Sequence, residues 1–234
     1  GGNVRTDSID NGLDHTVQRR FLGKVVEDQA RETSLGAFVK EEVTLTRWAR
    51  VLGGARADYF AFSVDDALEQ PGAGTSGAKG ASQASPKAAV VLTPLRERAV
   101  QLDVYGNYGH GFHSNDARGV VRAIDPVTPL TRAVGYEAGT RARLLDRWDL
   151  ALAAWRLDLD SETVWVGDEG TTESSGATKR YGVELETRFE ITKWLSADLD
   201  LTATKSAFVQ NAGNGTSVAL APKATWAGGL SARH

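Results

Sequence analysis

Residues 195–204 of the chain read Leu-Ser-Ala-Asp-Leu-Asp-Leu-Thr-Ala-Thr, an alternation of apolar and polar side chains. Because neighbouring residues of a β-strand point to opposite faces of a sheet, this segment is predicted to be a strand with one apolar and one polar face. A similar alternation recurs in residues 100–108, 136–144 and 181–191. The chain is therefore predicted to be an all-β protein.

The alternating runs are longer than most strands of soluble proteins. Globular strands are typically about 5–6 residues long, whereas a tilted strand needs about 9–11 residues to cross a membrane. The longest apolar stretch, around residues 88–95, is too short for a membrane helix, which needs about 18 residues. The mean hydropathy of −0.30 is compatible with a barrel, because the inner face of a barrel is polar. We therefore predict an antiparallel transmembrane β-barrel, incomplete at about nine to ten strands, rather than a soluble sandwich.

The connections between these strands alternate between short and long. Outer-membrane barrels have short periplasmic turns and long extracellular loops, so the asymmetry favours such a barrel. Short turns are predicted near residues 46–50, 94–98, 145–147 and 192–194. Long extracellular loops, rich in Gly, Ser, Thr, Pro, Asn and Asp, are predicted at about Asp65 to Ser85, Gly109 to Ala133, Gly167 to Ala177 and Ala207 to Ser217.

Three of the six tryptophans, Trp48, Trp148 and Trp194, fall at or beside the short turns. Indole side chains favour the membrane–water interface, so these residues are predicted to form a girdle there. The alternative is that each indole covers a hydrophobic core. One predicted strand, residues 35–45, carries Glu41 on its apolar face, so a bulge or a position near the interface is expected there.

The composition excludes several classes of protein. A net charge of −3 without a basic stripe argues against a nucleic-acid binder. The absence of cysteine excludes disulfide scaffolds, thiolate zinc sites and cysteine nucleophiles. The first residues, Gly1–Val4, include neither an initiator methionine nor a signal sequence, so we expect the chain to be a fragment of a longer protein.

Several short motifs follow one another in a fixed order. They are Ser85–Ala88 at the start of a strand, the Tyr-Gly-rich run Tyr105–Arg118, Gly135–Gly139 (GYEAG), Trp155–Asp160 in a hairpin and Arg180–Glu186 (RYGVELE). By the order and spacing of these motifs, the chain from about Thr33 to its end resembles the barrel of TonB-dependent outer-membrane receptors.

The resemblance implies a barrel of about 22 strands, filled by an N-terminal plug and located in the cell outer membrane of a Gram-negative bacterium. It implies active transport of a scarce small ligand, such as a ferric siderophore, energised by the TonB complex through the N-terminal region. On this basis residues 1–234 are expected to be part of the receptor barrel, without plug, TonB box or terminal aromatic residue. The expected partners are the TonB complex, the ligand and outer-membrane lipid; neither a cofactor nor enzymatic activity is expected. The alternative is a passive porin or a structural barrel.

One segment combines imidazole, hydroxyl, amide and carboxylate groups in a predicted loop, and a guanidinium group follows as a polar partner. If an imported chelate binds at the outer mouth, these groups are expected to contact it together. Two histidines without a third ligand at a fixed spacing make a poor metal site, so no metal site is predicted, and the alternative is an ordinary hydrogen-bonding role. The predicted ligand-binding residues are His110, His113, Asn115, Asp116 and Arg118.

Two catalytic interpretations fail on their motifs. A serine hydrolase would recruit Ser114, but triad residues come from separate elements and no nucleophile-turn motif surrounds this serine. The Gly-rich run at residues 72–80 lacks the spacing of a phosphate-binding loop, as well as its preceding strand and following helix.

Overall fold

The computed structural model describes residues 1–166, 171–174, 176–210, 217–218 and 220–233. These residues form twelve strands and one short helix. The strands are β1 (Gly2–Val17), β2 (Arg20–Thr46), β3 (Ala49–Asp66), β4 (Gly77–Arg96), β5 (Val100–Ser114), β6 (Leu130–Leu144), β7 (Trp148–Leu159), β8 (Thr163–Val166), β9 (Thr171–Ser174), β10 (Thr178–Glu190), β11 (Leu195–Phe208) and β12 (Ala224–Ala232), and the helix is α1 (Ala117–Val121).

Ten of these strands form a single antiparallel sheet. Each strand pairs with its neighbours in chain order, β1 to β7 and then β10 to β12, while β8 and β9 form a separate hairpin within one connection. In the described part of the chain β1 and β12 do not pair with each other, so the sheet is not closed. The predicted fold class, an incomplete antiparallel barrel, is confirmed.

The short and long connections lie at opposite ends of this sheet, as predicted. Residues 47–48, 97–99, 145–147 and 191–194 form the short end. The connections after β3, β5, β7 and β11 form the long end, because successive strands run in opposite directions. Parts of the predicted loops Gly167 to Ala177 and Ala207 to Ser217 lie outside the described residues.

Two predicted loop boundaries were wrong. The predicted loop from Asp65 to Ser85 ends earlier, because Gly77 to Ser85 pairs with β3 from Val64 to Arg56. The predicted loop from Gly109 to Ala133 begins later, because β5 continues to Ser114. In both places cross-strand pairing extends a strand through residues that are poor strand formers by composition.

A two-stranded arm extends the sheet at the long end. Strand β2 pairs with β3 only from Asp28 onward, so residues 20–27 pair with β1 alone. The arm closes through Gln18 and Arg19, whose positive φ angles of 49° and 66° suit the twist of a tight hairpin. This arm was not predicted from the sequence, and its turn is the exception to the rule that tight turns lie at the short end.

The apolar and polar faces match the predicted register. Leu185 pairs with Leu201, and Glu186 pairs with Asp200. Glu186 and Asp200 line a cavity of about 410 Å³ together with Asp103 of β5, several strands away. Strands that far apart share a cavity only on the concave side of a curved sheet, so the polar face is the inner wall and the apolar face is the convex, lipid-facing surface.

Glu41 lies on the convex face opposite Gly53. The irregularity in the β2–β3 ladder lies between Thr44 and Thr46, so a bulge, one of the two features expected at Glu41, is not found at that residue. Nothing in the structure explains the choice of a carboxylate at this position.

Candidate functional site

The inner wall borders an open cavity of about 880 Å³ that spans strands from β2 to β10. Such a volume is in the range of small-molecule sites. Its polar lining includes residues that alternate with the lipid-facing positions of these strands: Lys40, Arg56, Lys87, Asn107, Glu137 and Glu184.

Large side chains of this wall lie over glycines of the neighbouring strand. A Cβ atom at Gly182 would come within 2.4 Å of the Trp155 indole, and the Trp155 Nε1 group donates a hydrogen bond to Glu184 Oε1 at 2.7 Å. A Cβ atom at Gly139 would come within 2.6 Å of the Tyr105 hydroxyl. Glycine therefore allows these aromatic rings to rest against the backbone instead of projecting into the lumen.

A third glycine of the wall supports an ion pair. The Arg56 guanidinium donates to Asp58 Oδ1 at 2.6 Å and to Asn3 Oδ1 at 2.7 Å, and a Cβ atom at Gly36 would collide with all three side chains. Asp58 is almost completely buried. The hydrogen bond from Arg56 to Asn3 therefore links β3 to β1 across β2 on the inner face.

At the outer mouth the connection between β5 and β6 folds onto the inner wall. Val120 of α1 is fully buried and belongs to the same apolar cluster as Phe60, Phe62 and Val64 of β3. The Lys79 ammonium group donates to the Val120 carbonyl oxygen at 3.4 Å. The main apolar core of the described chain thus lies beneath this connection.

Asn115 organises the connection from within. Its Nδ2 group donates to the Thr128 carbonyl oxygen at 2.6 Å and to Thr131 Oγ1 at 2.9 Å, and the residue is 3% exposed. Its backbone N–H donates to the Pro129 carbonyl oxygen at 3.0 Å. These bonds hold the two ends of the connection together.

Asp116 and Arg118 form an ion pair at the start of α1. Asp116 caps the helix by accepting a hydrogen bond from the Arg118 backbone N–H at 3.0 Å, and it accepts from the Arg118 guanidinium at 2.5 Å. Arg118 also lies 3.8 Å from Asp28 of β2. Burial opposes ionisation of Asp116, but the hydrogen bonds and charge of Arg118 outweigh it and lower the pKa of Asp116.

The two histidines are not in the loop where they were predicted. Both belong to β5, and because they are three residues apart they lie on opposite faces. His110 is on the convex face, where its Nε2 atom lies 2.5 Å from the Tyr108 hydroxyl and 3.4 Å from Arg132. His113 is on the inner face opposite Thr131 and is exposed.

The five predicted ligand-binding residues therefore fall into three settings. Asn115, Asp116 and Arg118 belong to the folded connection, where Asn115 bonds to Thr128 and Thr131 and where Asp116 pairs with Arg118. His113 faces the lumen near the mouth, and His110 faces outward. Sequence reasoning missed the inner apolar patch of Phe60, Phe62 and Val64. The sequence did contain a pattern that predicts this patch. Apolar residues occupy every second position from 60 to 64, on the face of the strand opposite to Tyr59.

The three predicted girdle tryptophans are all exposed at the short end of the sheet. Trp148 packs edge-on against Phe189 with ring centroids 6.2 Å apart, and its Nε1 group donates to Thr187 Oγ1 at 2.7 Å. Trp48 and Trp194 lie in the turns that precede β3 and β11.

Within the described residues, no group of three or more histidine, aspartate or glutamate side chains is arranged to hold a metal ion. No helix in the described part of the chain is long and apolar enough to cross a membrane.

The family profile described as "TonB dependent receptor-like, beta-barrel" matches residues 3–233 of the chain. The chain belongs to this family. TonB-dependent receptors are transport receptors of the outer membrane, and the chain is part of an outer-membrane β-barrel. The match includes β1 and the arm, which lie before the region where the sequence motifs begin. No curated protein matches the chain in sequence.

Solved structures of TonB-dependent receptors share the fold of the chain. The ferric yersiniabactin uptake receptor FyuA from Yersinia pestis aligns with 99% of this chain and 35% of its own, at 16% identity and a TM-score of 0.76. The ferric-catecholate import receptor Fiu from E. coli K12 aligns with 98% of this chain and 38% of its own, at 17% identity and a TM-score of 0.70. The chain thus spans little more than a third of these receptors, and at such identities the likeness concerns the fold alone.

Proposed function

We propose that this barrel segment works in an outer-membrane receptor that actively imports a scarce small ligand, such as a ferric siderophore or another metal chelate, with energy supplied through TonB. The observation that carries the proposal is the combination of membership in this receptor family with a polar inner wall around a cavity of about 880 Å³. Relatives with this fold are named as ferric-catecholate and ferric yersiniabactin receptors.

The chemistry required of the segment is binding and orientation. Its antiparallel ladders pair the backbone groups of neighbouring strands within the lipid, as membrane-spanning strands require. The charged inner wall is suited to hold the plug that family membership implies, and the connection between β5 and β6 covers part of the mouth above it. No covalent step is needed for import.

Uptake measurements test this function. The full-length receptor that contains this segment is expressed in a strain lacking its own siderophore receptors, and uptake of radioactive iron presented as catecholate or hydroxamate chelates is measured with and without functional TonB. Saturable uptake that disappears without TonB is the expected result. Uptake that is independent of TonB and proportional to concentration would instead indicate a passive porin, and the absence of uptake for every chelate would indicate another cargo or a structural barrel.

A further inference from the structure

We propose that the convex face of the sheet binds the phosphate group of an outer-leaflet lipid at Arg156, between Tyr136 and Tyr181. By the alternation of side chains along β6, β7 and β10, this site lies on the convex face of the wall. It follows from the placement of cations and aromatic rings on three adjacent strands.

Arg156 lies between two tyrosines of the neighbouring strands. It pairs with Tyr136 of β6 and Tyr181 of β10, and its guanidinium carbon lies 5.9 Å and 5.7 Å from the centroids of the two rings. Tyr108 continues the row on β5, with its ring 5.3 Å from that of Tyr136. Contacts of this kind hold a guanidinium in place through the ring faces and leave N–H groups at its edge for other partners.

Asp158 fixes the orientation of the guanidinium. Its carboxylate accepts from Arg156 Nε at 2.9 Å and from Nη2 at 2.7 Å, so two of the five N–H groups of Arg156 are used by this pair. The remaining N–H groups can donate to a phosphate, which arginine binds with paired hydrogen bonds.

Other cations accompany Arg156 on the same face. Lys205 pairs with Tyr181, and Lys179 pairs with Asp158, while Arg132 lies 3.4 Å from His110. We call Arg132, Arg156, Lys179 and Lys205 the convex cationic band. Because four cations accompany the carboxylate of Asp158, the band as a whole is positively charged. Strands are spaced about 4.8 Å apart, so Arg156 and Lys205 are close enough for one phosphorylated headgroup to contact both.

The position of the convex cationic band along the strands indicates that its partner is a lipid. From Arg156 toward the short end, the next convex positions on β7 are Ala154, Leu152 and Leu150, and those next to Tyr181 on β10 are Val183 and Leu185. The band therefore lies where the apolar surface ends on the side of the long loops. Tyrosine rings favour this interface, and clustered Lys and Arg residues at it bind anionic headgroups.

The test compares matched arginines on the two faces. Arg141 on the inner wall lies 5.5 Å from the Tyr105 ring centroid and provides the control. The full-length receptor is placed in phosphatidylcholine nanodiscs containing a small share of a phosphorylated glycolipid or its dephosphorylated form, and the retained glycolipid is measured by mass spectrometry. An Arg156→Gln, Lys205→Gln variant is expected to retain the phosphorylated lipid about 10-fold less than wild type, since charge-assisted hydrogen bonds are lost. Arg141→Gln is expected to retain it as wild type does.

Three results would overturn the proposal: unchanged retention in the double variant, equal retention of the dephosphorylated lipid, or displacement of the lipid by inorganic phosphate in the buffer. An Arg156→Lys variant that keeps part of the retention shows that the loss comes from the charge and not from misassembly. Assembly is checked by heat-modifiable migration on gels. Failure of this site would leave the uptake function untouched, because the two assays share no readout.

Discussion

Trp155 and Gly182 face each other across β7 and β10, with the indole of Trp155 occupying the space in which a side chain at position 182 would stand. From there the indole reaches Glu184 on the same strand as the glycine. The indole of Trp155 therefore needs the space that glycine leaves at position 182. The hydrogen bond from Trp155 to Glu184 depends on both residues.

Replacing Gly182 with valine is expected to displace Trp155 and break its bond to Glu184. The cost is about 1–3 kcal/mol of barrel stability, because a partly buried indole N–H and a partly buried carboxylate lose their partner. The temperature at which the full-length barrel loses its compact migration on gels measures this effect. Gly53→Val is the control, since a Cβ atom at Gly53 meets no atom within 4 Å. Equal stability of the two variants would contradict the pairing.

Arginine at position 201 is expected to destabilise the barrel, whereas arginine at the adjacent position 202 is tolerated. Leu201 pairs with Leu185 on the lipid-facing side, and Thr202 pairs with Glu184 on the inner wall. A cation in the hydrocarbon region costs about 2–4 kcal/mol near its middle. Urea unfolding in lipid vesicles compares the two variants, and a larger loss for Thr202→Arg would reverse the assignment of the faces.

Truncating Asn115 to alanine is expected to loosen the connection that carries α1. The change leaves the Thr128 carbonyl and the Thr131 hydroxyl without their donor, at a cost of about 1–3 kcal/mol to the local fold. Hydrogen exchange of amides 117–121 should become faster while β5 and β6 remain protected. Asp125→Asn is a suitable control, because asparagine tolerates the positive φ of 47° at this exposed turn. Unchanged exchange in Asn115→Ala would show that the loop is held by apolar packing alone.

The same connection is expected to open at low pH through Asp116. The pKa of Asp116 is lowered in the folded loop, so its contribution is fully present above the ordinary carboxyl pKa of about 3.9 and is lost as the pH falls through the lower folded value. Hydrogen exchange of amides 117–121, corrected for intrinsic rates, follows the transition. Asp116→Asn keeps a capping side chain but removes the charge, so its exchange should lack this acid dependence. If it retains the same dependence, another group is responsible.

His113 and His110 are expected to differ in their effect on ligand binding. His113 lies on the inner face near the mouth and His110 on the convex face, so His113→Ala should weaken binding of an imported chelate by about 1–3 kcal/mol while His110→Ala leaves it unchanged. Equilibrium binding to whole cells with normal surface expression measures both. An effect of His110 alone, or of neither, would remove His113 from the binding site. Arg118 is a poorer probe, because its truncation also breaks the ion pair with Asp116.

The repeated alternation made the barrel predictable, because in a sheet with one lipid-facing side every strand obeys the same period of two. Leu185, Glu186, Leu201 and Asp200 could be assigned to their faces from the sequence alone, and the pairing agrees. The ends of strands were harder. Residues 77–85 have a loop-like composition, and only their pairing with β3 makes them a strand.

The candidate site was less predictable, because it depends on which connection folds inward. Nothing in the order of residues 110–118 reveals that Asn115 bonds to Thr131, or that Val120 reaches Phe62 on a strand fifty or more residues earlier. The structure shows that β5 continues to Ser114. With that extent known, the period of two residues in a strand places His110 and His113 on opposite faces. The error lay in ending the strand too soon.

The rings of Trp155 and Tyr105 that lie against Gly182 and Gly139 have a mechanical consequence. At these two places the inner wall presents a ring lying against the backbone instead of a side chain that projects into the lumen. A domain that moves inside the lumen does not have to displace these aromatic rings, so its motion along the wall meets less steric resistance. The pairing of aromatic residues with glycine on adjacent strands therefore lowers the steric resistance of the inner wall at these places.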